Sequence, residues 1–98
     1  MILEIAILEV KAGMETSFEA DFEVASQYIA SIDGYISHSL QRCLEQANKY
    51  ALLVQWKDLE AHTLSFRTSA AYQEWKKLLH HYYDPFPTVE HYEEVSKD

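Results

Sequence analysis

Hydrophobic residues recur along the chain with two different periods, and the switches between them predict the order of elements. The opening run ILEIAILEV, residues 2–10, is apolar and rich in β-branched side chains, and reads as a strand. Beyond Gly13, the residues Phe18, Phe22, Ala25, Ile29 and Ile32 fall at steps of four, three, four and three, which places them on one helical face. Thr16 followed by Glu19 predicts a capping box near the start of that helix, and Gly34 suits a positive φ at its end.

Residues 35–44, YISHSLQRCL, return to alternation. Ile36, His38, Leu40, Arg42 and Leu44 point one way, and Tyr35, Ser37, Ser39, Gln41 and Cys43 the other. EQAN turns the chain and KYALLVQW, residues 49–56, comes back as the partner of a hairpin. Asp58 can cap a short helix over LEAHTLSF, residues 59–66, and Thr68 or Ser69 caps the next, over residues 70–83. There Tyr72, Trp75, Leu79 and Tyr82 form a second, aromatic stripe. Asp84-Pro85-Phe86-Pro87 ends it, because proline cannot continue the backbone ladder. TVEHYEEV, residues 88–95, reads as a fourth strand.

The order β-α-β-β-α-β predicts an α+β, ferredoxin-like fold with an antiparallel four-stranded sheet, built as one domain over residues 1–98. The first and third strands are apolar on both faces and belong in the middle of the sheet, while the more polar second and fourth belong at its edges. Two helices cover one face only. Leaving the other against water is costly at about 25 cal/mol per Å², so a homodimer through sheet-to-sheet packing is expected.

Composition narrows the partners. Sixteen acidic residues against eight basic ones give a net charge of −8, which argues against binding nucleic acid or an anionic membrane surface. Cys43 is the only cysteine, so there is no intrachain disulfide and no multi-cysteine zinc module; it reads as a free thiol on a polar strand face. The first strand carries Glu4 and Glu9 and lacks the basic start of a signal peptide, so a cytoplasmic location is expected by default.

The run VQWKDLEAHTLSFRTSAAYQEWKKLL, followed by PFPTVEHYEEV, resembles the antibiotic biosynthesis monooxygenase (ABM) domain family across essentially the whole chain. The shared features are a third strand ending in tryptophan, a short helix with EAH and FR, S-x-x-Y opening the last helix, and a late P-x-V-x-H-Y strand. The resemblance implies a dimeric α/β-barrel with a mostly apolar cavity between helices and sheet in each subunit. It also implies a reaction type, cofactor-free oxygenation of phenols or quinols to quinones, with no cofactor and no metal. A haem-degrading branch of the same family looks for a first-strand asparagine, a tryptophan where Phe66 stands and an earlier histidine on the last helix; none of these is matched.

Such an oxygenase needs an apolar pocket for an electron-rich aromatic, with donors and a base to stabilise its anion. The candidates for chemistry are His62, Tyr72 and Arg67, and those for substrate contact are Trp56, Phe66, Trp75 and His91. Each has a plainer reading. His62 sits four residues before Phe66 and is either a base or donor at the cavity rim or a partly exposed helix residue. Arg67 either holds an anionic substrate or pairs with one of the many carboxylates. Tyr72 and Trp75 belong to the inward stripe and pack the core first, and Trp56 is a packing anchor at a strand end. The alternative to an enzyme is a non-catalytic small-molecule-binding or structural dimer of the same fold.

The stretch HHYYDPFPTVEHY, residues 80–92, invites a metal site, but adjacent helical residues point about 100° apart. His80 and His81 therefore do not chelate one ion easily, and His81, Asp84 and His91 meet only if the loop returns. The stretch reads instead as a lid and dimer-contact element that closes one end of the cavity.

Overall fold

The computed structural model describes residues 1–97. Strands β1 (Ile2–Glu9), β2 (Tyr35–Arg42), β3 (Lys49–Trp56) and β4 (Thr88–Glu93) form one antiparallel sheet in the order β2-β3-β1-β4. Helices α1 (Glu15–Ala30) and α2 (Ala70–Leu79) lie across one face. The expected ferredoxin-like topology is the observed one, with the two apolar strands in the centre.

Register explains the layering. Ile2 pairs with Trp56, Glu4 with Val54, Ala6 with Leu52 and Leu8 with Tyr50, so these side chains share the helix-facing surface. Against them pack Phe18, Phe22, Ala25 and Ile29 from α1, and Trp75 and Leu79 from α2. The opposite surface presents Leu3, Ile5, Ile7, Ala51 and Leu53, of which Ile7 is exposed and the others half-buried. No helix among the described residues is long and apolar enough to cross a membrane.

Several local expectations change. The capping box does not form: α1 starts at Glu15 behind Met14, which supplies no side-chain cap. Glu19 instead accepts from the Tyr50 hydroxyl at 2.6 Å and pairs with Arg42 at 3.0 Å, because the strand facing it offers stronger partners than its own helix end. In β2 the pairing slips between Tyr35 and Ser37, leaving Ile36 exposed and Tyr35 on the same face as His38, which its hydroxyl contacts at 2.5 Å. The strict alternation therefore holds only from residue 37 onward. The last helix leaves α geometry at Leu79 and tightens into a 3₁₀ turn, His80–Tyr82, before the proline segment. The fourth strand ends at Glu93, short of the expected residue 95, and Val95 beyond it is exposed.

Asp58 and Ser69 cap as expected: Asp58 Oδ1 accepts the Ala61 N–H at 2.9 Å, and Ser69 Oγ accepts the Tyr72 N–H at 3.0 Å. Between them only Leu59 and Glu60 are α-helical. Ala61–Phe66 forms a π-helical turn, with the Arg67 N–H donating to the His62 carbonyl five residues back. Such widened turns recur at functional sites. Gly34 fixes its position. At φ +94° its α-carbon lies against Ala61, where an added Cβ would stand 2.6 Å from the Ala61 Cβ.

Candidate functional site

The site begins with a residue that breaks a pattern. On β1 the inward positions are Ile2, Glu4, Ala6 and Leu8, and Glu4 is as buried as its apolar neighbours, at 4% exposure. A carboxyl group in that position needs partners. The Trp56 indole N–H donates to Glu4 Oε1 at 2.9 Å, and His62 Nε2 lies 3.4 Å from the same oxygen.

His62 comes from the π-helical turn and is likewise 4% exposed. Its ring stacks on Trp56, with centroids 5.2 Å apart and planes 16° from parallel, and it also faces Phe66. His62 Nδ1 meets His91 Nε2 at 2.7 Å. His91 stands directly opposite Glu4 across the β1–β4 pairing, so His62 bridges a cross-strand pair from above. Among the described residues no buried side-chain nitrogen or oxygen lacks a partner.

Burial drives the ionisable members toward their neutral forms. The Glu4 carboxyl is pushed up by desolvation, against the opposing pull of the Trp56 hydrogen bond and the Arg67 charge. The His62 imidazole is pushed down to about 3 by burial, with Arg67 and His91 adding to the effect. His91 moves down for the same reasons, burial first and Arg67 second. A neutral His62 carries one ring N–H, so the contacts run in one of two orders. Either His91 donates to His62 and His62 points its N–H at Glu4, or Glu4 donates to His62 and His62 to His91.

Glu4 and His62 open onto a cavity of about 440 Å³ between the sheet and the helices, a size in the range of small-molecule sites. Ala6, Leu52 and Val89 form its floor, and Phe66, Tyr72, Trp75 and Tyr83 its walls. Exposed Arg67 and Phe86 stand at the rim. Phe66 is central to the wall, meeting Tyr72 edge-on at 5.1 Å and Trp75 at 5.7 Å.

Five of the seven candidates from the sequence line this cavity: His62, Arg67, Tyr72, Phe66 and Trp75. The plain reading of His62 as partly exposed does not hold, because the turn directs it inward. Arg67 forms no ion pair among the described residues. Trp56 is fully buried behind His62 and outside the lining, and His91 reaches the site only through His62. Sequence reasoning missed Glu4, His80 and Tyr83. The signal for Glu4 was present, a lone carboxylate on an inward strand face, but β1 read as apolar on both sides.

Among the described residues no group of three or more His, Cys, Asp or Glu side chains is arranged to hold a metal ion. His81 is exposed and packs on Tyr82, whereas His80 lines the cavity and His91 bonds to His62. The segment from His80 to Val89 does close one end of the cavity, with His80, Tyr83, Phe86, Pro87 and Val89 all in the lining.

Comparison with known proteins agrees with this architecture. Residues 1–78 match the family model described as antibiotic biosynthesis monooxygenase. The uncharacterised protein YczJ of Bacillus subtilis (strain 168) is 53% identical over 95 residues, spanning 97% of this chain and 100% of its own. A protein of Bordetella bronchiseptica, provisionally assigned as an antibiotic biosynthesis monooxygenase, superposes with a TM-score of 0.92 at 35% identity over 97% of both chains. SnoaB, a cofactor-independent oxygenase from Streptomyces nogalater, superposes with a TM-score of 0.74 at 20% identity, over 99% of this chain and 93% of its own. At that identity the likeness is one of fold.

Proposed function

The chain belongs to the antibiotic biosynthesis monooxygenase family, and from that premise we propose that it is a cofactor-independent oxygenase converting a small phenol or quinol to a quinone. One observation supports this reading above the others: a buried carboxyl, Glu4, opening beside His62 into a cavity walled by aromatic rings.

For a phenol, the balance is phenol plus O₂ giving quinone plus water. The ring supplies every electron that oxygen accepts, and no external reductant enters. The hydroxyl proton passes to the Glu4–His62 pair, and the resulting anion reduces O₂. Recombination at a ring carbon forms the new C–O bond. Loss of the proton from that carbon as the O–O bond breaks forms the second carbonyl, and the departing oxygen leaves as water with that proton and the one returned by the site. Arg67 and the Tyr72 hydroxyl, both in the cavity lining, stabilise the anion. Phe66 and Trp75 hold the ring by stacking and edge contacts, and Trp56 keeps Glu4 oriented.

The uncovered sheet face, with Leu3, Ile5, Ile7 and Leu53, supports a homodimer as the working unit. Oxygen uptake measured with a panel of phenols and quinols tests the function. Wild type is expected to exceed the buffer blank on at least one of them, with His62→Ala and Tyr72→Phe both slower. Uptake no faster than the blank across the panel overturns the oxygenase and leaves the binding protein as the better reading.

A further inference from the structure

The cavity explains Glu4 and His62 but leaves His91 without a part, although it makes one of the shortest contacts in the site. His91 does not line the cavity, and it is only half-buried, on the outermost strand of the sheet, so part of it meets solvent. It lies on the helix-facing side of β4, with Val89, so a second sheet packed on the other face leaves it uncovered.

We propose that Glu4, His62 and His91 form a proton relay that connects the substrate hydroxyl in the cavity to solvent at the edge of the sheet. The proposal rests on the reading of Glu4 and His62 as the groups that ionise the substrate. Its geometry is a continuous line of atoms. Glu4 Oε1 is 3.4 Å from His62 Nε2, and His62 Nδ1 is 2.7 Å from His91 Nε2. The first gap must shorten by a few tenths of an ångström for transfer, as catalytic hydrogen bonds commonly do when a site is filled.

Each half of the reaction uses the line in a different direction. On ionisation, the substrate O–H gives its proton to the free oxygen of a protonated Glu4. The proton already on Glu4 passes to His62 Nε2, that on His62 Nδ1 passes to His91 Nε2, and His91 Nδ1 releases one to water. Glu4 ends protonated on its other oxygen, and both imidazoles have exchanged tautomers. When the O–O bond breaks, the same steps in reverse return one proton to the departing oxygen, which leaves as water once it also takes the proton lost from the ring carbon. The two transfers cancel, as the overall balance requires, and each resets the relay for the next. With substrate seated across the cavity, the exit through His91 avoids the blocked rim.

A phenol that reports its own ionisation tests this. Para-nitrophenol is mixed with protein in weakly buffered solution at a pH below the probe's own pKa, where the free probe is un-ionised, with phenolate absorbance and a pH indicator followed together. In the wild type both signals are expected at one rate and in equal amount. His91→Gln keeps a hydrogen-bonding group beside His62 but cannot pass a proton. It is expected to slow both signals by about 100-fold, the lower end for loss of a positioned acid–base group, without changing the affinity for the probe. Added imidazole is expected to restore the rate. An unslowed His91→Gln protein, or a slowed one that imidazole leaves unchanged, overturns the relay while the base reading stands. A probe that stays un-ionised in the wild-type cavity overturns the base reading and the relay together.

Discussion

Glu4 and His91 stand opposite one another on the paired strands β1 and β4, and their side chains are linked only through His62. Two strands and a helical turn therefore converge on one buried polar line inside an otherwise apolar face. The energetic logic of the site follows, because a group desolvated there is tolerated only while its partners are present.

The first prediction concerns Glu4 itself. Glu4→Gln keeps a hydrogen-bonding partner for the Trp56 N–H and for His62, whereas Glu4→Leu leaves both without one. Each orphaned buried group costs roughly 1–3 kcal/mol. Urea denaturation should therefore show the leucine variant less stable than the glutamine variant by about that amount or more, although leucine is the more apolar side chain. Para-nitrophenol should remain un-ionised in both.

His62 gives a prediction about pH. Its folded form is held neutral, with protonation displaced from 6.5 down to about 3 by burial first, then by Arg67 and His91. On acidification the unfolded chain takes up the proton before the folded one. The stability tied to this side chain is therefore complete above 6.5 and is lost between 6.5 and about 3, on the order of a few kcal/mol. Glu4, displaced upward by burial, has the opposite trend, its contribution falling as pH rises from 4.5 through its elevated folded value. Ring resonances of His62 followed by NMR should show no protonation step between about pH 8 and pH 5. A midpoint near 6.5 would mean that the ring is hydrated, contrary to its burial.

A third prediction tests how the fold places the π-helical turn. Gly34→Ala forces a side chain into φ +94° and brings its Cβ to 2.6 Å from the Ala61 Cβ. Strain at that backbone angle alone costs on the order of 1–3 kcal/mol. The melting temperature should fall, and the displaced Ala61–Phe66 segment should weaken probe binding even though residue 34 does not line the cavity.

The outer sheet face supplies the fourth. Light scattering of the wild type at micromolar concentration should give twice the 11.4 kDa of one chain. Ile5→Lys places a charge in the middle of the apolar face and should yield a monomer. A wild-type mass of 11.4 kDa would sink the dimer.

Much of the architecture was legible in the chain. The stripe Phe18, Phe22, Ala25 and Ile29 is buried as its spacing requires, and the doubly apolar runs of β1 and β3 are the central strands. These features depend on periodicity, which is local and cooperative over several residues. The helix-end and edge details were less legible. Thr16 and Glu19 have the sequence of a capping box, but Glu19 is drawn to Tyr50 and Arg42 across 31 and 23 positions. A local pattern has no access to that competition.

The same division applies to the site. Sequence by itself determined which surfaces are apolar, where the two helices lie on the sheet, and that Phe66, Tyr72 and Trp75 face a shared interior. Only the tertiary structure decided the chemistry. Glu4, His62 and His91 come from three separate elements, and their union depends on strand register, on the widened turn at Ala61–Phe66, and on the close approach that Gly34 permits. Hydrophobic burial is non-directional and can be read from a pattern. Hydrogen bonds and proton paths depend on angstrom distances between residues far apart in the chain, and those exist only after the chain has folded.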